Sequence, residues 1–302
     1  MKKFLISGLI MSAVTMMSCG TGEKQVKQVQ ENDFISSESD GIFFIRVGEY
    51  EVYMLVESQR DGNAGILVGA DEALLQRYIP ESGFKHTANA FLIKTPERNI
   101  LVDTGTGAGN IIIDKIQKLG AAPDQIDAVL ITHLHGDHFG SLQKDGAANF
   151  PKAKIYLAEK EYVYFTQSNV NAGAVAALTP YGDNVITFDP AELGLTLNLI
   201  LPGISPIANY GHTPGHTVYL VESGNDKLII AGDFLHVGLV QFAEPDISAS
   251  YDIDKEGAAA SRRAILAYAA QNKIPVGGMH VVYPGVGIVE AQGNGYKFIA
   301  MN

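Results

Sequence analysis

The chain of 302 residues has a single cysteine, Cys19, so no intramolecular disulfide can form. Positive charge is also scarce, with 22 Lys and Arg against 33 Asp and Glu and a formal net charge of -11. A surface of that sign repels a phosphate backbone, and no basic patch offsets it, so nucleic acid is excluded as a partner. Long apolar runs are missing as well. The one candidate, residues 4–17, is too short to span a bilayer as a helix. After Lys2 and Lys3 it reads as the hydrophobic region of a signal peptide.

That region ends at Met16-Met17-Ser18-Cys19, a segment similar to a bacterial lipobox, in which the cysteine becomes the lipidated first residue. The expected organisation is a signal peptide at 1–18, a polar flexible tether at 19–40 and one domain at 41–302. It places the protein in the bacterial cell envelope, on the periplasmic side or secreted, touching the membrane only through a lipid on Cys19. Apolar residues make up 46% of the chain and charged residues 18%, enough to bury a substantial core. With 32 Gly and 12 Pro, a loop-rich sheet protein fits better than a helical bundle.

Residues 43–47 and 51–56 read as paired strands, and 89–93 with 99–102 as a hairpin. Asp71 is placed to cap a short helix over 72–78. Ile112, Ile113, Ile116 and Leu119 mark one face of a second helix that stops at Gly120. A third is expected over 159–165. Residues 218–222 and 228–231 form another expected hairpin, 254–271 the longest helix, and 296–300 a closing strand. By itself this pattern says mixed α/β.

The chemistry concentrates after the short apolar strand 128–132. His133, His135, Asp137 and His138 fall within six residues, and three of the chain's eight histidines are among them. In an extended segment residues two apart point the same way, so His133 and His135 can converge on one ion. A turn at Gly136 displaces Asp137 and His138 towards a second. Imidazole with carboxylate suits zinc, and also iron, manganese or cobalt.

The segment THLHGDHFG, residues 132–140, resembles the HxHxDH signature of the metallo-β-lactamase-fold hydrolases. Further segments follow in that family's order: Asp103 within 99–107, GHTPGH at 211–216, Asp233 after Ala231-Gly232, and His280 after Gly278-Met279. The resemblance spans residues 41–302. It implies a four-layer αββα sandwich with two mixed sheets, holding two divalent ions, zinc foremost. Carried over, His133, His135 and His216 hold the first ion, Asp137, His138 and His280 the second, and Asp233 bridges them. His212 is then structural, and Asp103 orients a ligand histidine. Water between two such ions loses its proton near neutral pH, and Asp137 stands where it can pass a proton to the leaving oxygen. Asp137 and Asp233 are thus the expected catalytic residues.

No cysteine is available as a ligand and Asp233 is present, which disfavours the β-lactamases themselves. Residues 232–245 and 293–298 resemble the methyl parathion hydrolase and lactonase-like group. That likeness puts His236 at the substrate pocket. Phe139, Leu235 and Tyr164, with Tyr162, Phe165 and Phe242, are candidates for its apolar lining. The expected activity is cleavage of a carboxylic ester or a lactone of the acyl-homoserine-lactone type by a metal-bridging hydroxide, with phosphotriester hydrolysis as a side activity. A mono-iron dioxygenase of the same fold and a non-catalytic binding lipoprotein are the alternatives. The expected partner is a small molecule, and the oligomeric state, monomer or homodimer, stays open.

Overall fold

Alternation of buried side chains along the strands sets the architecture. The structure is a computed structural model that describes residues 36–302. The signal peptide expected at 1–18, Cys19 and most of the tether expected at 19–40 lie outside the described residues. Within the last stretch of that tether, Ser37 pairs with Ile42, and the Phe44 amide donates to the Ser36 hydroxyl.

The first sheet contains β1 (Ile42–Val47), β2 (Tyr50–Asp61), β3 (Lys85–Lys94), β4 (Asn99–Val102), β5 (Ala128–Leu130), β6 (Lys154–Ala158) and β7 (Val185–Phe188), side by side in that order. The pairs from β1 to β4 are antiparallel and those from β4 to β7 parallel. The second sheet contains β8 (Ile204–Ala208), β9 (Thr217–Ser223), β10 (Asp226–Ile230), β11 (Val276–Gly277), β12 (Val286–Gln292) and β13 (Gly295–Ala300). Only β10 and β11 run parallel there, so both sheets are mixed.

Successive residues point to opposite faces of a strand. Val52 and Met54 on β2 and Phe91 and Ile93 on β3 therefore meet Tyr219, Val221, Leu228 and Ile230 of the second sheet in one core. Tyr53, Leu55 and Leu92 face outward into another, and Val218, Leu220 and Ile229 into a third. Both outer faces need helical cover. The helices are α1 (Glu72–Tyr78), α2 (Ile111–Lys118), α3 (Gly136–Phe139), α4 (Glu159–Val163), α5 (Ala172–Leu178), α6 (Gly238–Gln241) and α7 (Lys255–Asn272). Ile112 and Ile116 of α2, with Ala174 of α5, close over the first sheet. Ile265, Leu266 and Ala269 of α7 close over the second. The result is the four-layer αββα sandwich.

Local signals hold in detail. The Asp71 carboxylate accepts the Leu74 amide at 2.8 Å at the start of α1, and Asp254 accepts the Gly257 amide at 3.0 Å at the start of α7. The helix expected over 159–165 differs: α4 ends at Val163 and the chain continues through a π turn, Tyr164–Ser168. No helix among the described residues is long and apolar enough to cross a membrane. The loops leaving β4, β5, β10 and β11 bring Asp103, His133, Asp233 and His280 to one edge of the sandwich.

Candidate metal centre

Three ring nitrogens meet in the first group. His133 Nε2 and His135 Nδ1 are 3.1 Å apart, and His212 Nε2 lies 3.2 Å from the first and 3.0 Å from the second. Their outer nitrogens assign the tautomers. His212 Nδ1 donates to Asp252 Oδ1 at 2.9 Å. The Thr132 hydroxyl donates to Asp103 Oδ2 at 2.7 Å and is left to accept His133 Nδ1 at 3.1 Å. The Nε2 atoms of His133 and His212 therefore present lone pairs to each other across 3.2 Å. Buried lone pairs so placed repel unless a cation lies between them.

His216, the expected ligand of the GHTPGH loop, is engaged elsewhere, and this corrects the assignment. Its Nε2 accepts the Asp233 amide at 2.9 Å and its Nδ1 donates to the Asn209 carbonyl at 3.0 Å, so no lone pair remains. His216 is the structural histidine and His212 presents the free nitrogen, the reverse of the sequence expectation. The physical reason is backbone direction. His216 stands just before β9 and its carbonyl accepts the Asn209 amide, which turns its ring onto the Asp233 backbone. Gly232, at φ +54°, allows that approach; a Cβ there would lie 2.6 Å from His216 Nε2.

The second group joins Asp137, His138 and His280. His138 Nδ1 donates to Asp103 Oδ2 at 2.7 Å, and His280 Nδ1 donates to the Thr87 carbonyl at 2.6 Å. Their Nε2 atoms face the Asp137 carboxylate at 3.6 and 3.7 Å. Asp233 stands between the groups. Its Oδ1 is 3.3 Å from His138 Nε2, and its Oδ2 is 3.0 Å from His280, 3.5 Å from His212 and 3.7 Å from His133. His138 Nε2 and Asp233 Oδ1 are buried without a hydrogen-bond partner. Buried polar atoms left unpartnered beside crowded lone pairs fit divalent cations, and the imidazole and carboxylate donors are those such ions take.

The electrostatics follow from burial. It lowers His133 well below the usual histidine range and His135 to about 4. Burial pushes Asp233 up, but His138, His280 and His133 around it hold it well below the usual carboxylate range. The same carboxylate, with Asp103 and Asp137, overcomes the burial that would lower His138 and leaves it raised.

A cavity of about 370 Å³ opens onto Asp137, Asp233 and His280, with Arg60, His86 and Tyr251 around it. A second, of about 610 Å³, shares His236 and His280 with the first and is lined by apolar groups including Phe84, Leu239, Phe242 and Val281. His236 is buried with both ring nitrogens unbonded, its Nε2 3.2 Å from Asp233 Oδ2, and burial lowers it to about 4. Of the other residues expected at the pocket, Leu235 is fully buried with Ile265 and Leu266 under α7. Phe139 belongs to the outer core of the first sheet, and Tyr164 packs against that core and accepts from Asn169. None of those three lines either cavity. Phe165 does approach the centre, its ring 5.9 Å from that of His135.

Sequence reasoning missed Arg60, His86, Tyr251, Asp252 and Arg262. The fully buried Arg262 donates to the carbonyls of Phe234, Pro245 and Ile247 and lies 3.5 Å from Asp252, so it braces the carboxylate behind His212. His86 had a signal: its ring lies 4.6 Å from that of His280, and all eight histidines of the chain gather at this one centre.

Fold and donor set together are those of a metal-binding αββα sandwich protein. Residues 84–273 match the family model of the metallo-beta-lactamase superfamily, and the chain belongs to that superfamily. The uncharacterized protein YobT of Bacillus subtilis (strain 168) is 31% identical over 149 residues, 48% of this chain and 60% of YobT. The chain therefore spans less than two thirds of that relative. Among solved structures, the hydrolase AbOPH of the beta lactamase superfamily superposes with a TM-score of 0.78 at 25% identity, covering 87% of this chain and 98% of AbOPH. AidC, a dizinc quorum-quenching lactonase in complex with a product, N-hexanoyl-L-homoserine, gives 0.77 at 24% identity, again covering 87% and 98%.

Proposed function

We propose that the protein binds two divalent metal ions, zinc in the first instance, and hydrolyses a carboxylic ester or a lactone. The position of Asp233 carries the proposal: one buried carboxylate faces two groups of inward-turned ring nitrogens, the first formed by His133, His135 and His212 and the second by His138 and His280 with Asp137. When bound, such ions supply a nucleophilic water at neutral pH and polarise the carbonyl under attack.

This chain's own groups do the rest. The Asp137 side chain is 36% exposed and faces the cavity, so it can take the proton released by the attacking water. It returns that proton to the alkoxide as the acyl C–O bond breaks. His236 is uncharged at neutral pH and can donate an N–H to substrate oxygen beside Asp233. The larger cavity has the volume and apolar lining for the hydrocarbon part of such a substrate. The likeness to AidC, a quorum-quenching lactonase, supports an acyl-homoserine lactone as the first substrate to try. A phosphotriester is the second, since the same water can attack phosphorus. The lipobox-like Cys19 extends the proposal to an envelope-anchored enzyme.

Metal analysis of the purified protein, alongside hydrolysis of lactones, aryl esters, phosphotriesters and a β-lactam, tests it. Two metals per chain and lactone or ester turnover that chelation abolishes and metal restores are expected. One tightly held iron without hydrolysis would favour the dioxygenase alternative and overturn it.

A further inference from the structure

Glu161 is a fully buried carboxylate that plays no part in the chemistry above. It lies in α4, immediately after β6, and donors from two separate loops fill its oxygens. Oε1 accepts the Leu134 amide at 2.8 Å, while Oε2 accepts the Thr213 hydroxyl at 2.7 Å and the Gly215 amide at 2.9 Å. Leu134 separates His133 from His135, and Thr213 follows His212. One carboxylate thus ties together the two loops whose histidines form the first group.

Its surroundings favour an acceptor with no proton of its own. All three neighbours donate, two of them from backbone amides that cannot reverse. Among the described residues no Lys or Arg pairs with it, and burial pushes its carboxyl up against the pull of those three bonds. A carboxylate is costly to bury so, and charge-assisted bonds from fixed amides are what offset it. The fit is close on the far side too: a Cβ at Gly215 would collide with the backbone and Cβ of Glu161.

We propose that Glu161 is a positioning residue for the first metal, setting the separation of the two loops so that His133, His135 and His212 converge. This rests on the metal assignment above. Glu161→Gln keeps the volume, yet whichever way the amide turns its NH2 meets a backbone N–H. Thr213→Val removes only the hydroxyl.

The test is chelator competition on the metal-loaded protein, with the absorption spectrum of the cobalt-substituted form and thermal melts of loaded and stripped protein. In Glu161→Gln one of the two ions should be lost at least about tenfold more readily, with a changed cobalt spectrum, while the other keeps its wild-type affinity. Thr213→Val should weaken the same ion to a smaller degree, and it carries the test if Glu161→Gln does not fold. Equal weakening of both ions overturns the inference. So does unchanged affinity in both variants with melting lowered equally in loaded and stripped protein. A wild-type protein that binds no metal overturns the functional reading and this inference together, whereas two metals in wild type with unaltered affinity in the variants overturns the inference alone.

Discussion

His212→Ala and His216→Ala remove the same ring from the same six-residue loop, yet the geometry assigns them opposite effects. In His216→Ala the buried Asp233 amide loses its acceptor and the Asn209 carbonyl loses its donor. Each orphaned group costs about 1–3 kcal/mol, so the loss is roughly 2–6 kcal/mol before any cavity is counted. For a domain of this size that lowers Tm by roughly 4–20 °C, and by similar amounts with metal bound or stripped. Because Asp233 faces both groups, any weakening of metal binding should fall on the two ions together.

His212→Ala behaves differently. Asp252 loses the His212 donor from Oδ1 but keeps the Ala249 amide at 2.8 Å and Arg262 at 3.5 Å on Oδ2, and the contact between two lone pairs disappears. Stripped protein should therefore lose less stability than in His216→Ala. Loaded protein should hold one metal instead of two and forfeit that ion's contribution, about 2.7 kcal/mol when free metal is a hundredfold above Kd. Metal analysis after dialysis, with melts of both forms, separates the cases. If His216→Ala releases one equivalent while its stripped form melts like wild type, and His212→Ala keeps both ions, the assignment of the loop is wrong.

Asp103→Asn keeps the shape but sets an NH2 either against the Thr132 amide or against both the Thr132 hydroxyl and the His138 ring; metal affinity should fall about 10–100-fold in chelator competition, with a smaller loss of stability. His236→Phe should retain both metals and its Tm while kcat drops about 100-fold or more; a kcat within a few-fold of wild type would remove His236 from the reaction. In stripped protein burial lowers His138, but Asp233, Asp103 and Asp137 raise it further, so it is protonated at neutral pH. A raised value stabilises the stripped fold fully below the ordinary histidine value of 6.5, and that contribution fades as pH rises through the folded value. Metal must displace this proton, so calorimetry in buffers of different ionisation heat should show proton release, with affinity falling as pH drops. No release at neutral pH would contradict it.

The sequence made most of this centre legible because its ligands are dense and local. Four lie within six residues, and Asp233 and His280 end short strands beside glycines. The two histidines of 211–216 were not separable that way. Spacing places both near the metal, and only the pairing of His216 with Asn209 at the start of β9 decides which ring turns inward. The pocket residues failed for a related reason. Leu235 and Phe139 lie close to ligands in the chain, but closeness in sequence does not set direction: Phe139 ends α3 and turns into the outer core of the first sheet, and Leu235 turns into the core beneath α7. Arg60, His86 and Asp252 come from elements far away in sequence and had no local mark beyond the small number of histidines. The strands and long helices were legible where alternation or capping was strong; the π turn at Tyr164–Ser168 carries no such pattern.

What fixes the centre before any ion arrives is the outer nitrogen of each ring. His133 is held through Thr132, His138 by Asp103, His212 by Asp252 and His280 by the Thr87 carbonyl, so all four rings are locked with Nε2 inward. These anchors stand on different elements, the loops after β4 and β5, the segment before α7, and β3. Movement of one therefore need not carry the others. Asp103 is the exception, because the Thr132 hydroxyl and the His138 ring both end on its Oδ2 while its Oδ1 accepts the Thr132 amide at 2.8 Å. It also sits at φ +58°, a left-handed conformation that costs a non-glycine residue about 1 kcal/mol or more. The three bonds it collects are what hold it there, so one residue couples the first group to the second through the protein as Asp233 does across the site.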